Sequence, residues 1–198
     1  MRKLLIATHN LGKLEEMQGY LKELSFEVVS MDDTDIPKEW RVEEVGQTFE
    51  GNALIKAIIT GKKSGMLTIA DDSGVSIDAL NGEPGVKSAR YAKGTDKQRY
   101  EVVLEKMKDV PDEKRTAKFT SVIAVYDPMS DQVTVTYGEC LGRITREPKG
   151  ERGFGYDPIF FADEIGKTYA EATLEEKMRI DHRGRAMQKM YEILKRFP

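Results

Sequence analysis

Met66-Leu67-Thr68-Ile69-Ala70-Asp71-Asp72-Ser73-Gly74 is an apolar approach that ends in two adjacent carboxylates. Its first five residues read as a short buried strand, β-branched and apolar and bounded by Gly65 and Gly74. A strand that stops at Asp71 would set acids at the carboxyl edge of an open α/β sheet, where ligand crevices form. Two neighbouring carboxylates repel when both are ionised, so the pair implies a nearby cation or a shared proton. Asp, Ser and Gly are also the ordinary residues of turns, and the tetrapeptide by itself reads as one. The surrounding sequence changes that balance.

Upstream, Lys3-Leu4-Leu5-Ile6-Ala7 reads as a central parallel strand. Thr8-His9-Asn10-Leu11-Gly12-Lys13 follows as a polar loop, and Leu14, Met17, Leu21 and Leu24 then recur at helical spacing. A strand–loop–helix of this kind offers free backbone N–H groups and a positive helix end to an anion. Thr8 and Asn10 can add side-chain donors, and Lys13 supplies a compact charge for phosphate oxygens. The Gly-Lys-Ser/Thr signature of a Walker A loop is missing. Taken singly, Thr8 and Asn10 read as helix caps and Lys13 as a solvated first-turn residue. Phe26–Ser30 is a second strand, and residues 31–47 are acidic and irregular, with the pair Glu43-Glu44. Thr48 caps a further helix on which Asn52 and Lys56, four apart, share one face.

Downstream, Val75–Leu80 alternates as a strand of its own before the Asn81-Gly82 turn. Pro84–Tyr91 is compact and basic, and Tyr100, Val103, Leu104 and Met107 mark an amphipathic helix. Phe119–Tyr126 and Val133–Tyr137 form a hairpin, with a further strand expected near Cys140–Thr145; together they suggest a second lobe. In Gly153-Phe154-Gly155-Tyr156-Asp157-Pro158, interleaved glycines and aromatics suit a loop that stacks on a base rather than a core segment. Thr173–Glu176 is a capping box with Lys177 just beyond it. His182 and Arg183 open the last helix, where plain capping residues are the competing interpretation.

Composition narrows the possibilities. A chain of 198 residues with 39% hydrophobic and 33% charged residues has the make-up of an ordinary globular protein with an ample core. No apolar run approaches membrane-spanning length, and Met1-Arg2-Lys3 leads straight into a strand rather than a leader. One cysteine and two histidines exclude an intrachain disulfide and make a Cys/His zinc site implausible, pointing to a reducing, cytoplasmic setting. A net charge of −3 argues against broad nucleic-acid affinity. A bound metal would have carboxylate ligands, which favours Mg2+ or Mn2+. Neither a low-complexity linker nor an internal repeat is present, so residues 1–198 read as one domain.

Five blocks stand in order: Ala7–Lys13, Thr48–Ala53 with Lys56-Ala57, Ala70–Gly74, Gly153–Pro158 and His182-Arg183-Gly184. Together with Pro84-Gly85 and Ser88–Tyr91, this set resembles the non-standard purine nucleoside triphosphate pyrophosphatases, the dITP/XTP/ITP-hydrolysing family, from residue 4 to about residue 195. The resemblance implies an elongated α/β fold, a mixed sheet flanked by helices, with two lobes around a central nucleotide-binding cleft, assembled as a homodimer. It implies Mg2+-dependent cleavage between the α- and β-phosphates of ITP, dITP or XTP, giving the nucleoside monophosphate and pyrophosphate. It assigns Asp72 as catalytic base and Thr8, His9, Asn10, Leu11, Gly12 and Lys13 to the triphosphate. Asn52, Lys56 and Ser73 are further substrate-binding positions, and Phe154, Gly155, Tyr156, Asp157, Lys177, His182 and Arg183 line the nucleotide pocket. Glu44 is the additional metal ligand beside Asp72, with Glu43 next to it as the competing choice. Two departures stand out. Many relatives carry an acid immediately before Asn52, where this chain has Gly51; Glu50, one place earlier, is rotated by roughly 100° on a helix and is not assigned to metal. Before His182 the family often has Ser, and here it is Asp181.

The residue chemistry agrees with that assignment. Attack of water on a polyanionic phosphate needs neutralised charge and an aligned, deprotonated nucleophile. Lys13, Lys56 and a metal ion can supply the first, and Asp72, with Asp71 beside it, the second. No Ser or Cys has a His placed to activate it, which disfavours a covalent intermediate. The rivals are a phosphohydrolase of other specificity and a nucleotide-binding regulator without turnover. The Asp71-Asp72 pair weighs against the regulator, because a simple triphosphate binder gains nothing from added negative charge.

Overall fold

The computed structural model describes residues 1–197. Strand β1 (Arg2–Ile6) leads into helix α1 (Leu11–Leu21), then β2 (Phe26–Val29), α2 (Phe49–Ser64), β3 (Leu67–Ile77) and α3 (Asp96–Lys106). Strands β4 (Thr116–Asp127), β5 (Gln132–Ile144), β6 (Phe160–Ala162) and β7 (Lys167–Thr168) follow, and α4 (Leu174–Ile180) and α5 (His182–Leu194) complete the order. The strands form one mixed sheet, β2-β1-β3-β4-β5-β6-β7. β1 pairs in parallel with β2 and β3, as its continuous apolar run predicts, whereas β5, β6 and β7 pair antiparallel. This is the α/β class expected from the sequence.

Two strands depart from expectation in the same way. β3 does not stop at Ala70; it runs on through Asp71-Asp72-Ser73-Gly74 to Ile77, so the two acids lie within a strand. β5 likewise absorbs the separate strand expected near Cys140–Thr145 into one run of 13 residues. In both, polar residues and glycines look like breaks, yet sheet pairing and side-chain partners satisfy them.

The chain forms two compact units. The first comprises Met1–Asp72, Ser121–Gly138 and the residues from Arg183, and the second Ser73–Thr120 and Glu139–His182. In the first, alternation along the strands divides the apolar side chains into two clusters. Leu4, Ile6 and Ile69 pack with Met17 and Leu21 of α1 and with Met187, Met190 and Leu194 of α5. Leu5 and Ala70 pack with Ala53 and Ala57 of α2. Asp71 therefore shares the Ile69 face and Asp72 the Ala70 face. In the second unit Val75, Ile77, Val103, Phe119, Tyr156, Phe160 and Tyr169 belong to one cluster. Among the described residues no helix is long and apolar enough to cross a membrane.

Candidate active site

The strand alternation resolves the difficulty of two adjacent acids. Asp71 and Asp72 leave β3 on opposite faces and find different partners. On the α1/α5 face, Asp71 is fully buried; its Oδ2 lies 2.7 Å from Lys13 Nζ and 3.4 Å from the Arg183 guanidinium. Its Oδ1 accepts from Ser121 Oγ at 2.5 Å. Arg183 in turn is clamped by Glu16 of α1, so Glu16, Arg183, Asp71 and Lys13 form a chain of alternating charge in the interior. Burial alone would raise the Asp71 carboxyl, but Arg183 and Lys13 overcome it and hold the group well below the ordinary carboxylate value. Asp71 is thus locked as an anion.

On the α2 face, Asp72 Oδ1 accepts from Lys56 Nζ at 2.9 Å and Oδ2 accepts from Asn52 Nδ2 at 3.2 Å. Lys56 also donates to Glu44 Oε1 and to the Asp71 carbonyl, each at 2.8 Å. Here burial outweighs the pull of Lys56 and Lys13, Glu44 adds like charge, and the Asp72 carboxyl is raised above its ordinary value. Lys56 would be lowered by burial, but Asp72 and Glu44 together hold it above the usual lysine value. Neighbouring carboxylates pushed in opposite directions carry different chemistry: Asp71 is a fixed charge, and Asp72 is poised to accept a proton.

Local sequence explains how these groups are held. Asn10 is the N-cap of α1, its Oδ1 accepting from Lys13 N at 3.0 Å. Lys13 is mostly buried rather than solvated, and burial lowers its pKa. Thr8 Oγ1 accepts from Asn10 N at 3.2 Å, the exposed His9 bonds the Trp40 carbonyl, and Leu11 is 77% exposed. Gly12 is partly buried in the first turn of α1, and Ser73, the next residue along β3, is partly buried too. Thr48 caps α2, and Asn52 is fully buried, accepting from Gly46 N at 2.8 Å while it donates to Asp72. A Cβ at position 46 would sit 2.5 Å from Asn52 Oδ1, so only glycine lets the acidic segment come this close. The contact brings in Glu44, partly buried, while Glu43 beside it is exposed; Glu44 is the one facing Lys56.

Glu44 Oε1 and Asp72 Oδ1 converge on a single cationic point, now the Lys56 ammonium. Two hard carboxylate oxygens meeting in this way fit Mg2+ or Mn2+, ions that take one or two carboxylates and complete their shell with water and phosphate. Among the described residues there is no cluster of three or more His, Cys, Asp or Glu side chains arranged as an all-protein metal site.

The second unit holds the aromatic loop. Lys177 Nζ donates to Asp157 Oδ2 at 2.7 Å in a pair almost fully withdrawn from water, and lies 4.9 Å from the Phe154 ring centroid. Asp157 Oδ2 also accepts from Phe154 N at 3.0 Å, and Phe154 is only partly buried. His182 is buried, stacked on Phe119 with ring centroids 4.6 Å apart. Tyr156 is 4% exposed; its hydroxyl donates to the Ser88 carbonyl at 2.8 Å, so the ring is buried without an unmet polar group. The Arg183 guanidinium lies in the first unit against Glu16 and Asp71.

A family model described as the Ham1 family matches residues 4–193. The chain belongs to the Ham1 family. A relative from Symbiobacterium thermophilum, named dITP/XTP pyrophosphatase, is 46% identical over 98% of this chain and 95% of its own length. One of the same name from Escherichia coli K12 is 42% identical over 98% of this chain and 99% of its own. The solved HAM1 protein from Coxiella burnetii superposes with a TM-score of 0.88 at 40% identity, covering 98% of both chains. Against this Ham1 background, Glu16 and Ser121 are the residues that sequence reasoning missed. Glu16 meets Arg183 across 167 positions and Ser121 meets Asp71 across 50, separations no local pattern reports.

Proposed function

We propose that this protein hydrolyses non-standard purine nucleoside triphosphates (ITP, dITP and XTP) to the monophosphate and pyrophosphate. The observation that carries this reading is the Glu44–Lys56–Asp72 constellation, in which a buried carboxylate of raised pKa shares one cation with a second acid. The names of the relatives, dITP/XTP pyrophosphatase, support the same reaction.

The chain's own residues do the following. Asp72 accepts the proton of the attacking water; burial raises its pKa and makes it a stronger base than a solvated aspartate. Asn52 and Lys56 fix the carboxylate at both oxygens, so its remaining lone pairs point in set directions. Four carboxylates, Glu16, Glu44, Asp71 and Asp72, face three cations, Lys13, Lys56 and Arg183, an excess of one negative charge when all are ionised. A triphosphate needs added positive charge in such surroundings. Mg2+ held by Glu44 and Asp72, with Mn2+ as substitute, would supply it and polarise the phosphate oxygens. Thr8 to Lys13 hold the phosphates through the N-terminus of α1. Phe154, Gly155, Asp157, Lys177 and His182 recognise the base, Phe154 by its partly exposed ring. Both units act as one functional domain, as a homodimer in the cytoplasm.

The test is product analysis. The protein with Mg2+ should convert ITP to IMP and pyrophosphate and turn over ATP and GTP far less. Orthophosphate as the product, or no turnover across a panel of triphosphates, would replace this reading with a phosphohydrolase or a regulator.

A further inference from the structure

We propose that Asp96, at the start of α3, is a positioning residue for the aromatic loop, acting through the backbone of Gly155. The proposal rests on the pyrophosphatase reading and extends it to a residue outside the matched motifs. An acid in the first turn of a helix ordinarily needs no further explanation. Here the cap of α3 is already complete without it: Thr95 Oγ1 accepts from Gln98 N, and the Gln98 side chain accepts from Thr95 N. Asp96 Oδ2 reaches away instead and accepts from Gly155 N at 2.7 Å, 59 positions along the chain. Its other oxygen is held by Arg99, and Arg99 Nη1 is fixed in turn on the Gly94 carbonyl at 2.7 Å.

Gly155 N–H belongs to the peptide plane that links it to Phe154. Holding that N–H fixes the plane and so the backbone from which the Phe154 ring projects. The loop needs such a tether, because Gly153 and Gly155 both lie at positive φ, +77° and +63°, and each glycine leaves the chain more freedom than any other residue. The Phe154 ring is only partly buried, so packing alone does not set it. Two successive N–H groups are therefore held by carboxylates, Phe154 N by Asp157 inside the loop and Gly155 N by Asp96 from α3. Asp157 also takes the Lys177 ammonium that lies over the Phe154 ring. Asp96 thus helps set where the stacking ring and the Lys177–Asp157 pair sit relative to each other.

The experiment compares Asp96→Ala with Asp96→Asn, which loses the charge and the Arg99 ion pair but keeps an oxygen to accept from Gly155. Amide exchange at Gly155 is measured with KM and kcat for ITP, inhibition by IMP, and inhibition by inorganic pyrophosphate, which carries no base. Asp96→Ala should raise Gly155 exchange, raise KM and the IMP inhibition constant together by about 3- to 30-fold, the range of a charge-assisted hydrogen bond partly exposed to water, and leave kcat and pyrophosphate inhibition nearly unchanged. Asp96→Asn should restore most of both. Equal impairment of the two variants, or parallel loss of pyrophosphate inhibition, would overturn the proposal in favour of helix stability. Raised exchange with unchanged ITP and IMP parameters would overturn it as well. If the wild-type protein neither hydrolyses ITP nor binds IMP, the pyrophosphatase reading fails and the positioning role with it, while the exchange result still reports whether the tether exists.

Discussion

Replacing Glu16 by Leu should destabilise this protein as much as losing a large core side chain, although Glu16 lies in none of the sequence motifs. Glu16 faces Arg183 with side-chain exposures of 5% and 1%, and Asp71 on the far side of the guanidinium has none. Leu fills a similar volume, so the cost comes from charge: a buried guanidinium loses a carboxylate and keeps Asp71 at 3.4 Å. Breaking a buried pair from one side costs about 3–5 kcal/mol, and because Asp71 remains, the lower end is expected. About 3 kcal/mol in a chain of this size corresponds to a fall in Tm of about 6–12 °C. Arg183→Met alone should also destabilise, since it strands Glu16. The double variant removes both charges and leaves Asp71 with Lys13 at 2.7 Å and Ser121 at 2.5 Å, so it should be more stable than the two single losses add up to, with a coupling of about 2 kcal/mol. Thermal and urea unfolding of the four proteins measures this directly. Single variants within 1 kcal/mol of wild type, or a double variant whose loss is the plain sum, would refute the charge-chain account.

Asp72→Asn should lower ITP turnover by about 10²–10⁴ while ITP binding, read by calorimetry, persists; near-normal turnover would move the base elsewhere. Lys13→Ala should raise KM for ITP and also lower Tm, because its ammonium is the 2.7 Å partner of buried Asp71; an unchanged KM would make it purely structural. Activity should vanish on chelation and return with Mg2+ or Mn2+, and full activity in excess chelator would rule out the metal. The Glu176 carboxyl is lowered from 4.5 to about 2 by hydrogen bonds from Lys167 and the Thr173 backbone. A depressed acid stabilises the fold above its unfolded value and loses that effect as pH falls through the folded one. Glu176→Gln should therefore be less stable than wild type at neutral pH, with the gap closing between about pH 4.5 and pH 2 in a denaturation series; a pH-independent gap would contradict the assignment.

What the sequence made legible was local. The β1–loop–α1 unit, the Thr48 and Thr173 caps and the parallel placement of β1 follow from spacing and capping chemistry that act within a few residues. What it hid was non-local. Ser73 and Gly74 look like a turn, yet β3 continues through them because sheet pairing outweighs their weak strand preference. The burial of Tyr156 depends on the Ser88 carbonyl, 68 positions away, which meets its hydroxyl. Glu16 gives no signal at all, being one of two adjacent glutamates on α1, of which Glu15 is exposed.

The continuation of β3 matters more than the misplaced strand end suggests. Had the strand stopped at Ala70, both acids would sit in one loop, share one environment and compete for the same cations. Because it continues, pleating separates them at no conformational cost, and each face of the sheet delivers its own set of partners. Arg183, Lys13 and Ser121 reach the Asp71 face from α5, α1 and β4, whereas Lys56, Asn52 and Glu44 reach the Asp72 face from α2 and the segment before it. The first set puts two cations on Asp71, Lys13 and an Arg183 that it shares with Glu16, and together they drive that carboxylate down. The second carries one cation shared with another acid, so burial wins and Asp72 is driven up. A one-residue step along an extended backbone is therefore enough to drive two identical side chains in opposite directions, one carboxyl below its ordinary value and the other above it. The same step explains why Asp71→Asn should be read first in stability and Asp72→Asn first in turnover.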